Sequence, residues 1–223
     1  MKNRYENKLK KYNAQILNLY PAHFISRLIL ALEMKKIEKE GLIVLEIGCG
    51  EGDSAMPILE NTNLHLDLSD VSEEMIEECK SKLSSYKDRI NYICEDGLSY
   101  LQNCKPYDII FSEWVIHNFT WDEKKDLFSA IYNKLNQGGS FFLMDKIYPA
   151  EGAKEMFDTQ MKRFEYLETE AKEGIVKYET QDCLPEFKMD EKNTMEGLKD
   201  AGFNDVVIVD RLERDVVLIA KKE

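Results

Sequence analysis

The chain has 223 residues, with 42 acidic side chains against 30 basic ones and a formal net charge of −12. That length suits one α/β domain with its own core, and the negative charge argues against nucleic-acid binding, which needs a basic surface. No apolar run approaches the ~20 residues of a membrane span, and residues 1–5 begin a polar helical pattern without an apolar signal-peptide core. We therefore expect a cytoplasmic protein with neither a nucleic-acid nor a membrane partner.

The cysteines and histidines indicate no metal site. Five cysteines are scattered without a C-x-x-C pair, which is typical of free thiols in a reducing cytosol. The three histidines lie far apart and show no zinc-ligand spacing. We expect no metal cofactor.

Strand and helix patterns alternate as far as residue 145. Helical periodicity covers 4–19 and 22–40, and a helix capped by Asp53 or Ser54 carries Pro57 in its first turn. Further helices cover 72–86 and 120–137, and Thr120 with Glu123 predicts a capping box at the start of the last one. Apolar or alternating runs predict strands over 42–47, 64–68, 90–94, 107–112 and 140–145. This order predicts a parallel sheet covered by helices on both faces.

The alternation breaks after Pro149. Residues 150–189 are helical and charged, and we expect them to form a lid, a dimer contact or a cover for their own domain. A helix over 191–200 precedes strands at 206–210 and 215–220, which are separated by too few residues for a crossover. The chain is thus predicted to form a single domain over 1–223, with a helical cap at 1–40 and a seven-stranded, mostly parallel sheet ending in an antiparallel hairpin.

The most informative stretch is residues 44–52, which read VLEIGCGEG. A buried strand runs directly into a loop with glycine at every second position, and glycine lets the backbone approach a ligand closely. The dinucleotide pattern G-x-G-x-x-G is absent, which counts against a nicotinamide oxidoreductase. Glu46 and Asp53 flank the loop, and they would repel a pyrophosphate but suit a cationic ligand.

This run resembles motif I of the class I S-adenosylmethionine (SAM) methyltransferases, and LKDAGF at 198–203 is also frequent in small-molecule members. The resemblance covers nearly the whole chain. It implies a Rossmann-like class I methyltransferase fold, SAM as cofactor and S-adenosylhomocysteine as product. By the same resemblance the cofactor contacts are Glu46, Gly48, Cys49, Gly50, Gly52, Asp70, Val71, Met75, Asp96, Gly97 and Ser112.

Two of these residues have assigned partners in the family. Asp70, just after the second strand, matches the acid that binds the ribose hydroxyls, although Asp67 offers a competing register. Asp96 matches the acid that binds the adenine amino group. Each aspartate could instead simply cap a helix, and Cys49 is expected to be a small loop residue and not a nucleophile.

The catalytic residues are less clear in the sequence. Residues 112–118 follow the fourth strand and, by the resemblance, lie between the cofactor and the acceptor. His117 is a candidate general base because imidazole titrates near neutral pH, Glu113 is an alternative base, and Trp114 is a candidate wall of the pocket. Methyl transfer needs alignment and water exclusion more than a nucleophile. Tyr12 or Tyr20 could close over the cofactor.

The leading hypothesis is transfer of the SAM methyl group to a small molecule by in-line displacement, with the acceptor atom unidentified. An alternative is a carboxy-SAM synthase of tRNA modification, which Met75 to Cys79 and the helical insertion resemble. Those enzymes hold the extra carboxylate with an arginine in the insertion, whereas this chain has none over 177–182, and Gly50 replaces their serine. A third alternative is a non-catalytic SAM-binding protein. A homodimer is compatible with all three.

Overall fold

A computed structural model of the protein describes residue 15 and residues 19–223. Tyr12 and most of the predicted helix over 4–19 lie outside the described residues. Within the described part, no helix is both long enough and apolar enough to cross a membrane.

The helices and strands alternate through most of the chain. The helices are α1 (Pro21–Ile37), α2 (Ala55–Asn61), α3 (Glu73–Lys82), α4 (Gly97–Asn103), α5 (Trp121–Lys134), α6 (Ala153–Arg163), α7 (Thr169–Asp182) and α8 (Glu191–Asp200). The strands are β1 (Ile43–Ile47), β2 (His65–Asp70), β3 (Ile90–Cys94), β4 (Tyr107–Glu113), β5 (Leu135–Lys146), β6 (Asp205–Leu212) and β7 (Asp215–Lys221).

In the described residues these strands form a seven-stranded sheet in the order β3-β2-β1-β4-β5-β7-β6. The first five strands are parallel, and β7 is antiparallel to both β5 and β6. The fold class, the seven strands and the terminal hairpin are therefore confirmed. The order reverses between β1 and β4, so the carboxyl ends of these strands border the crevice where ligands bind in open α/β sheets.

Helices cover both faces of the sheet, as the unbroken apolar strands require. On one face α4, α5 and α8 contribute Leu101, Phe128 and Leu198 to a buried cluster. On the other face α1, α2 and α3 bury apolar side chains such as Leu30 and Ile58. Two cores therefore hold the sheet rigid, and its carboxyl edge is a fixed platform for a site.

Several element boundaries differ from the prediction. The helix predicted over 120–137 ends at Lys134, because Leu135 already pairs with Tyr107 and the backbone N–H of Gly138 donates to Lys222. Strand pairing thus replaces the last turn of the helix. The helix predicted to 86 ends at Lys82 and continues as a 3-10 turn over Ser84–Arg89.

Two predictions about helix ends have opposite outcomes. The capping box that begins α5 is present, with Thr120 and Glu123 bonding each other's backbone N–H. The prediction that Ser54 or Asp53 caps α2 is wrong. The Ser54 hydroxyl donates to Glu46, and Asp53 pairs with Lys82 and Arg27.

Residues 150–189 contain α6, a 3-10 turn over Phe164–Tyr166 and α7. Their apolar side chains form a cluster with Tyr20, the residue that precedes α1. The buried members of this cluster are Tyr20, Phe164, Leu167, Ala171 and Ile175. The insertion therefore packs on its own domain beside the start of α1.

Candidate active site

The loop after β1 is fixed by the neighbouring strand. The backbone N–H groups of Gly48 and Cys49 donate to the carbonyl of Ser69 at 2.8 and 2.9 Å. Gly48 has φ +75°, and a Cβ there would lie 2.4 Å from Val115 Cγ2. Gly50 has φ +50°, but a Cβ there would meet no atom within 4 Å. Gly48 thus brings the loop against the segment after β4, while Gly50 borders open space.

Asp70 ties the glycine loop to β2. Its Oδ2 accepts from the Gly50 N–H at 3.0 Å and its Oδ1 from the Ser72 N–H at 2.9 Å. A carboxylate has about four lone-pair sites, so each oxygen can still accept a ligand hydroxyl. Asp67 of the competing register lies within β2, and its carboxylate accepts from Tyr107 Oη at 2.6 Å. Of the two aspartates, Asp70 is the one beside the glycine loop.

Glu46 is fully buried under the same loop. Burial raises the pKa of its carboxyl well above the ordinary value, while the hydrogen bond from Ser54 acts in the opposite direction. The second carboxylate oxygen, Oε2, is buried without a hydrogen-bond partner. A buried oxygen of this kind needs a partner, and a ligand ammonium or a water bound to it would fit.

Other predicted site residues serve the packing of the loop. A Cβ at Gly52 would lie 2.8 Å from Cys79 Sγ, and one at Gly97 would lie 2.6 Å from Ile47 Cγ2. The Ser112 hydroxyl is buried and donates to the carbonyl of Ile47 at 3.0 Å. These groups shape the crevice through the backbone of β1 and its neighbours. Cys49 is also buried, and the hydrogen bond with Cys79 together with burial raises the pKa of its thiol, which disfavours the nucleophilic thiolate.

Asp96 caps α4, as its side chain accepts from the Ser99 N–H at 3.1 Å. This is the helix-capping arrangement that the sequence left open. Val71 and Met75 flank the start of α3, with Val71 exposed and Met75 half-buried. All three lie near the carboxyl ends of β2 and β3, on the same side of the sheet as the glycine loop.

Glu113 ends β4 and anchors α1. Its Oε1 lies 2.9 Å from His23 Nε2 and accepts from Arg27 Nε at 2.6 Å. Burial alone would raise the pKa of Glu113, but Arg27 and His23 hold it below its ordinary value. A carboxylate with a lowered pKa makes a poor proton acceptor, so Glu113 is better suited to anchoring than to general-base catalysis.

His117 is held by Asp145 at the end of β5. His117 Nδ1 and Asp145 Oδ1 are 2.7 Å apart, and the backbone N–H of His117 donates to Asp145 Oδ2 at 3.1 Å. Burial would raise the pKa of Asp145, but His117 and backbone donors lower it, so the carboxylate is ionised. With a proton on Nδ1, the other ring nitrogen, Nε2, can accept one.

No sequence pattern singled out Asp145 as the partner of His117, although the position of Asp145 at the end of a strand was a usable signal. Carboxyl ends of parallel strands meet at one edge of a sheet, where Asp145 lies at the end of β5 and His117 follows the neighbouring strand β4. The pair resembles the base and orienting acid of other enzymes in its geometry.

Trp114 directly follows β4 and contacts groups from α1 and β5. It has φ +51°, a left-handed conformation that is rare for a bulky residue and clusters at functional sites. Its ring lies 4.3 Å from the His23 ring and 4.8 Å from Lys146 Nζ, and its indole N–H is buried without a partner. Trp114 therefore packs between the start of α1 and the end of β5.

Among the described residues, no group of three or more His, Cys, Asp or Glu side chains is placed to hold a metal ion. The open space at Gly50 and the remaining lone pairs of Asp70 together fit a cofactor with ribose hydroxyls, and a buried water at Glu46 Oε2 would satisfy that oxygen.

Residues 44–139 match the model of the methyltransferase domain family. Malonyl-[acyl-carrier protein] O-methyltransferase 1 of Ilyobacter polytropus is 39% identical over 98 residues, which span 43% of this chain and 35% of that protein. Carboxy-S-adenosyl-L-methionine synthase of Helicobacter hepaticus is 26% identical over 194 residues, covering 81% of this chain and 76% of the relative. The chain thus spans about a third of the length of the first relative and most of the second.

Solved structures share the fold at low sequence identity. Magnesium protoporphyrin IX methyltransferase from Synechocystis PCC 6803, solved with bound SAM, superposes with a TM-score of 0.58 at 16% identity, covering 87% of this chain and 76% of the other. The pyocyanin biosynthetic protein PhzM superposes with a TM-score of 0.65 at 16% identity, covering 89% of this chain and 55% of the other. Over residues 44–139 this chain therefore resembles a methyltransferase domain, and the solved structures share its fold.

Proposed function

We propose that this protein transfers the methyl group of SAM to a small-molecule acceptor by in-line displacement. The observation that carries the proposal is the hydrogen bond between the Gly50 N–H and the Asp70 carboxylate. It holds Asp70, the acid that we propose binds the ribose, against an open glycine turn at the carboxyl edge of β1 and β2, and nucleoside ligands bind at this edge in such sheets. When bound, SAM supplies an electrophilic methyl group carried on a sulfonium.

In this proposal, different residues contact different parts of the cofactor. Asp70 accepts hydrogen bonds from the ribose hydroxyls. Glu46 faces the ammonium group of SAM, or a water bound to that group, through the oxygen that has no protein partner. Val71, Met75, Asp96 and Gly97 border the adenine end. Gly48, Cys49, Gly50, Gly52 and Ser112 shape the loop that carries these contacts.

His117 is the group best placed to accept a proton from the acceptor. Asp145 orients the ring and stabilises the imidazolium that forms, so Nε2 can accept the proton as the methyl group is transferred. A positioned base of this kind contributes about 10²- to 10⁴-fold to a rate. Alignment of the reactants supplies the larger share, up to about 7–11 kcal/mol in well-oriented reactions.

A small acceptor is favoured because the reacting edge is enclosed. His117 is 7% exposed, Trp114 is half-buried, and α1 and α7 pack over the same edge. Enclosure excludes water from the site, and the transfer of an electrophilic methyl group requires this exclusion.

The test is a labelling experiment. The purified protein is incubated with trideuteromethyl SAM and fractions of a small-metabolite extract, and mass spectrometry follows S-adenosylhomocysteine and labelled products. We expect a fraction that produces S-adenosylhomocysteine and one labelled product in equal amounts, with neither formed by the His117→Ala variant. If the protein fails to bind SAM in a calorimetric titration, the proposal is wrong.

Carboxy-SAM synthesis is the second candidate, because the relative with that activity aligns over most of both chains. The region where the family's arginine is expected carries the buried acids Glu179 and Asp182 instead. Mass spectrometry of ligand carried through purification separates the candidates, since a carboxylated SAM supports the second and unmodified SAM or S-adenosylhomocysteine the first.

A further inference from the structure

The inner face of α7 changes character along its length. Its first half buries Ala171 and Ile175, as expected for a helix packed on an apolar surface. Its second half buries Glu179 and Asp182, which are 0% and 8% exposed. Carboxylates are almost never buried without partners, so this end of α7 is held in place by ionic contacts.

The partners of Glu179 form a pocket of cationic and hydroxyl donors, here called the cation pocket: Arg214, Lys146 and Tyr20. Arg214 donates to both Glu179 oxygens, through Nη1 to Oε2 and through Nη2 to Oε1 at 3.0 Å. Lys146 Nζ and Tyr20 Oη each lie 3.1 Å from Glu179 Oε1. A two-pronged guanidinium contact with an added ammonium is how proteins recognise carboxylates and phosphates.

The donors of the cation pocket do not belong to α7. Lys146 ends β5, Arg214 lies in the turn between β6 and β7, and Tyr20 immediately precedes α1. The pocket is therefore built on the rigid sheet and its flanks, while the anion that fills it is supplied by a separate helix. Arg214 is 2% exposed and Lys146 is 5% exposed. Because buried cations are stable only beside an anion, the pocket requires one.

The cation pocket adjoins the reacting groups. Lys146 Nζ lies 4.8 Å from the centre of the Trp114 ring, and Arg214 Cζ lies 5.8 Å from it. Asp182, which accepts from Lys146 at 2.8 Å, also lies 3.8 Å from His117 Nε2. The end of α7 thus fills the pocket and lies against His117 Nε2, so a movement of α7 would uncover the pocket and this nitrogen together.

We propose that the cation pocket binds an anionic group of the acceptor, a carboxylate or a phosphate, and that Glu179 occupies the pocket until the acceptor displaces it together with α7. This inference rests on the proposed function, because it names the class of acceptor for the same site. In it α7 is a lid, and Glu179 stands where the acceptor's own anion binds.

The experiment removes the internal anion. Calorimetric titrations with inorganic phosphate and with acetate, at constant ionic strength, compare the wild type with Glu179→Ala. We expect Glu179→Ala to bind at least one of the two anions at least about tenfold more tightly than the wild type, a difference of about 1.4 kcal/mol. Binding of acetate alone assigns a carboxylate acceptor, and binding of phosphate alone a phosphorylated one.

Two controls make the result specific. Glu173→Ala removes an exposed acid from the same helix and should bind anions no better than the wild type. The double variant Glu179→Met with Arg214→Met replaces the buried pair by apolar side chains, a change that proteins often tolerate. It should lose the anion binding gained by Glu179→Ala.

A second measurement covers the case in which Glu179→Ala does not fold. Hydrogen exchange of the wild-type α7 is compared in phosphate, acetate and chloride at equal ionic strength. Faster exchange of residues 169–182 in phosphate or acetate, with α5 unchanged, supports displacement of the lid. Unchanged exchange of α7 together with no gain in anion binding overturns the inference. Parallel SAM titrations separate the two claims, because anion binding without SAM binding refutes the methyltransferase proposal and leaves the pocket intact.

Discussion

Replacement of Gly50 by alanine separates the cost of backbone strain from the loss of a binding surface. Gly50 has φ +50°, and its missing Cβ would meet no protein atom within 4 Å. An L-residue in this left-handed region costs about 1–2 kcal/mol. For a chain of this length that cost lowers the melting temperature by roughly 2–8 °C, since about 1 kcal/mol corresponds to roughly 2–4 °C.

The binding effect is additional. The new methyl group would occupy the open space beside the Asp70 contact, where the cofactor is proposed to lie. An extra methyl in a filled site costs about 1–3 kcal/mol, which weakens the binding of SAM by roughly 5- to 150-fold. Calorimetric titration measures the affinity for SAM, and thermal unfolding without ligand measures the strain.

Gly41 is the matched control. It has φ +83°, a Cβ there would also meet nothing within 4 Å, and it precedes β1 at the opposite edge of the sheet. Gly41→Ala should lose a similar amount of stability while its affinity for SAM stays at the wild-type value. Equal SAM affinities for the two variants would show that the cofactor does not lie against Gly50.

Three further substitutions test the remaining roles. Asp70→Asn should weaken SAM binding by roughly 10- to 150-fold, the equivalent of about 1.5–3 kcal/mol for a hydrogen bond to a charged group, whereas Asp67→Asn, which loses the partner of Tyr107, should bind SAM normally in the same calorimetric assay. Asp145→Asn and His117→Ala should each lower acceptor turnover by about 10²- to 10⁴-fold without changing the SAM affinity. Full turnover in either variant would show that His117 is not the base. Burial raises the pKa of Asp215 to about 6, so the folded state holds a proton that the unfolded chain releases near pH ~4, and stability falls as the pH rises between these values. Asp215→Asn should therefore be more stable than the wild type at about pH 7.5, by up to about 3 kcal/mol, and match it below about pH 4 in denaturant titrations; a constant difference at all pH values would contradict this.

The sheet was predictable because its signals are local. Apolar runs marked the strands, and the short separation of the last two strands required a hairpin. The proximity of Asp70 to the glycine loop followed from the parallel order of β1 and β2. Boundaries failed where a distant partner decided them, as at Leu135, which joins β5 through its pairing with Tyr107.

The ionic pairs of the site have no sequence motif, because their partners are far apart in the chain, although the strand-end position of Asp145 was a usable signal for one of them. Glu179 and Arg214 are separated by 35 positions, and His117 and Asp145 by 28. Neither pair has a spacing that a motif could reveal. Tertiary packing brings them to one edge of the sheet, and the left-handed backbone of Trp114 is likewise imposed by its surroundings and not by its sequence.

Arg27 has a consequence that extends beyond its own contacts. Its guanidinium lies 2.6 Å from Glu113 at the tip of β4 and 3.6 Å from Asp53, which follows the glycine loop. Arg27 of α1 thus bridges the end of β4 and the residue that follows the glycine loop. Displacement of either carboxylate would therefore change the ionic surroundings of the other.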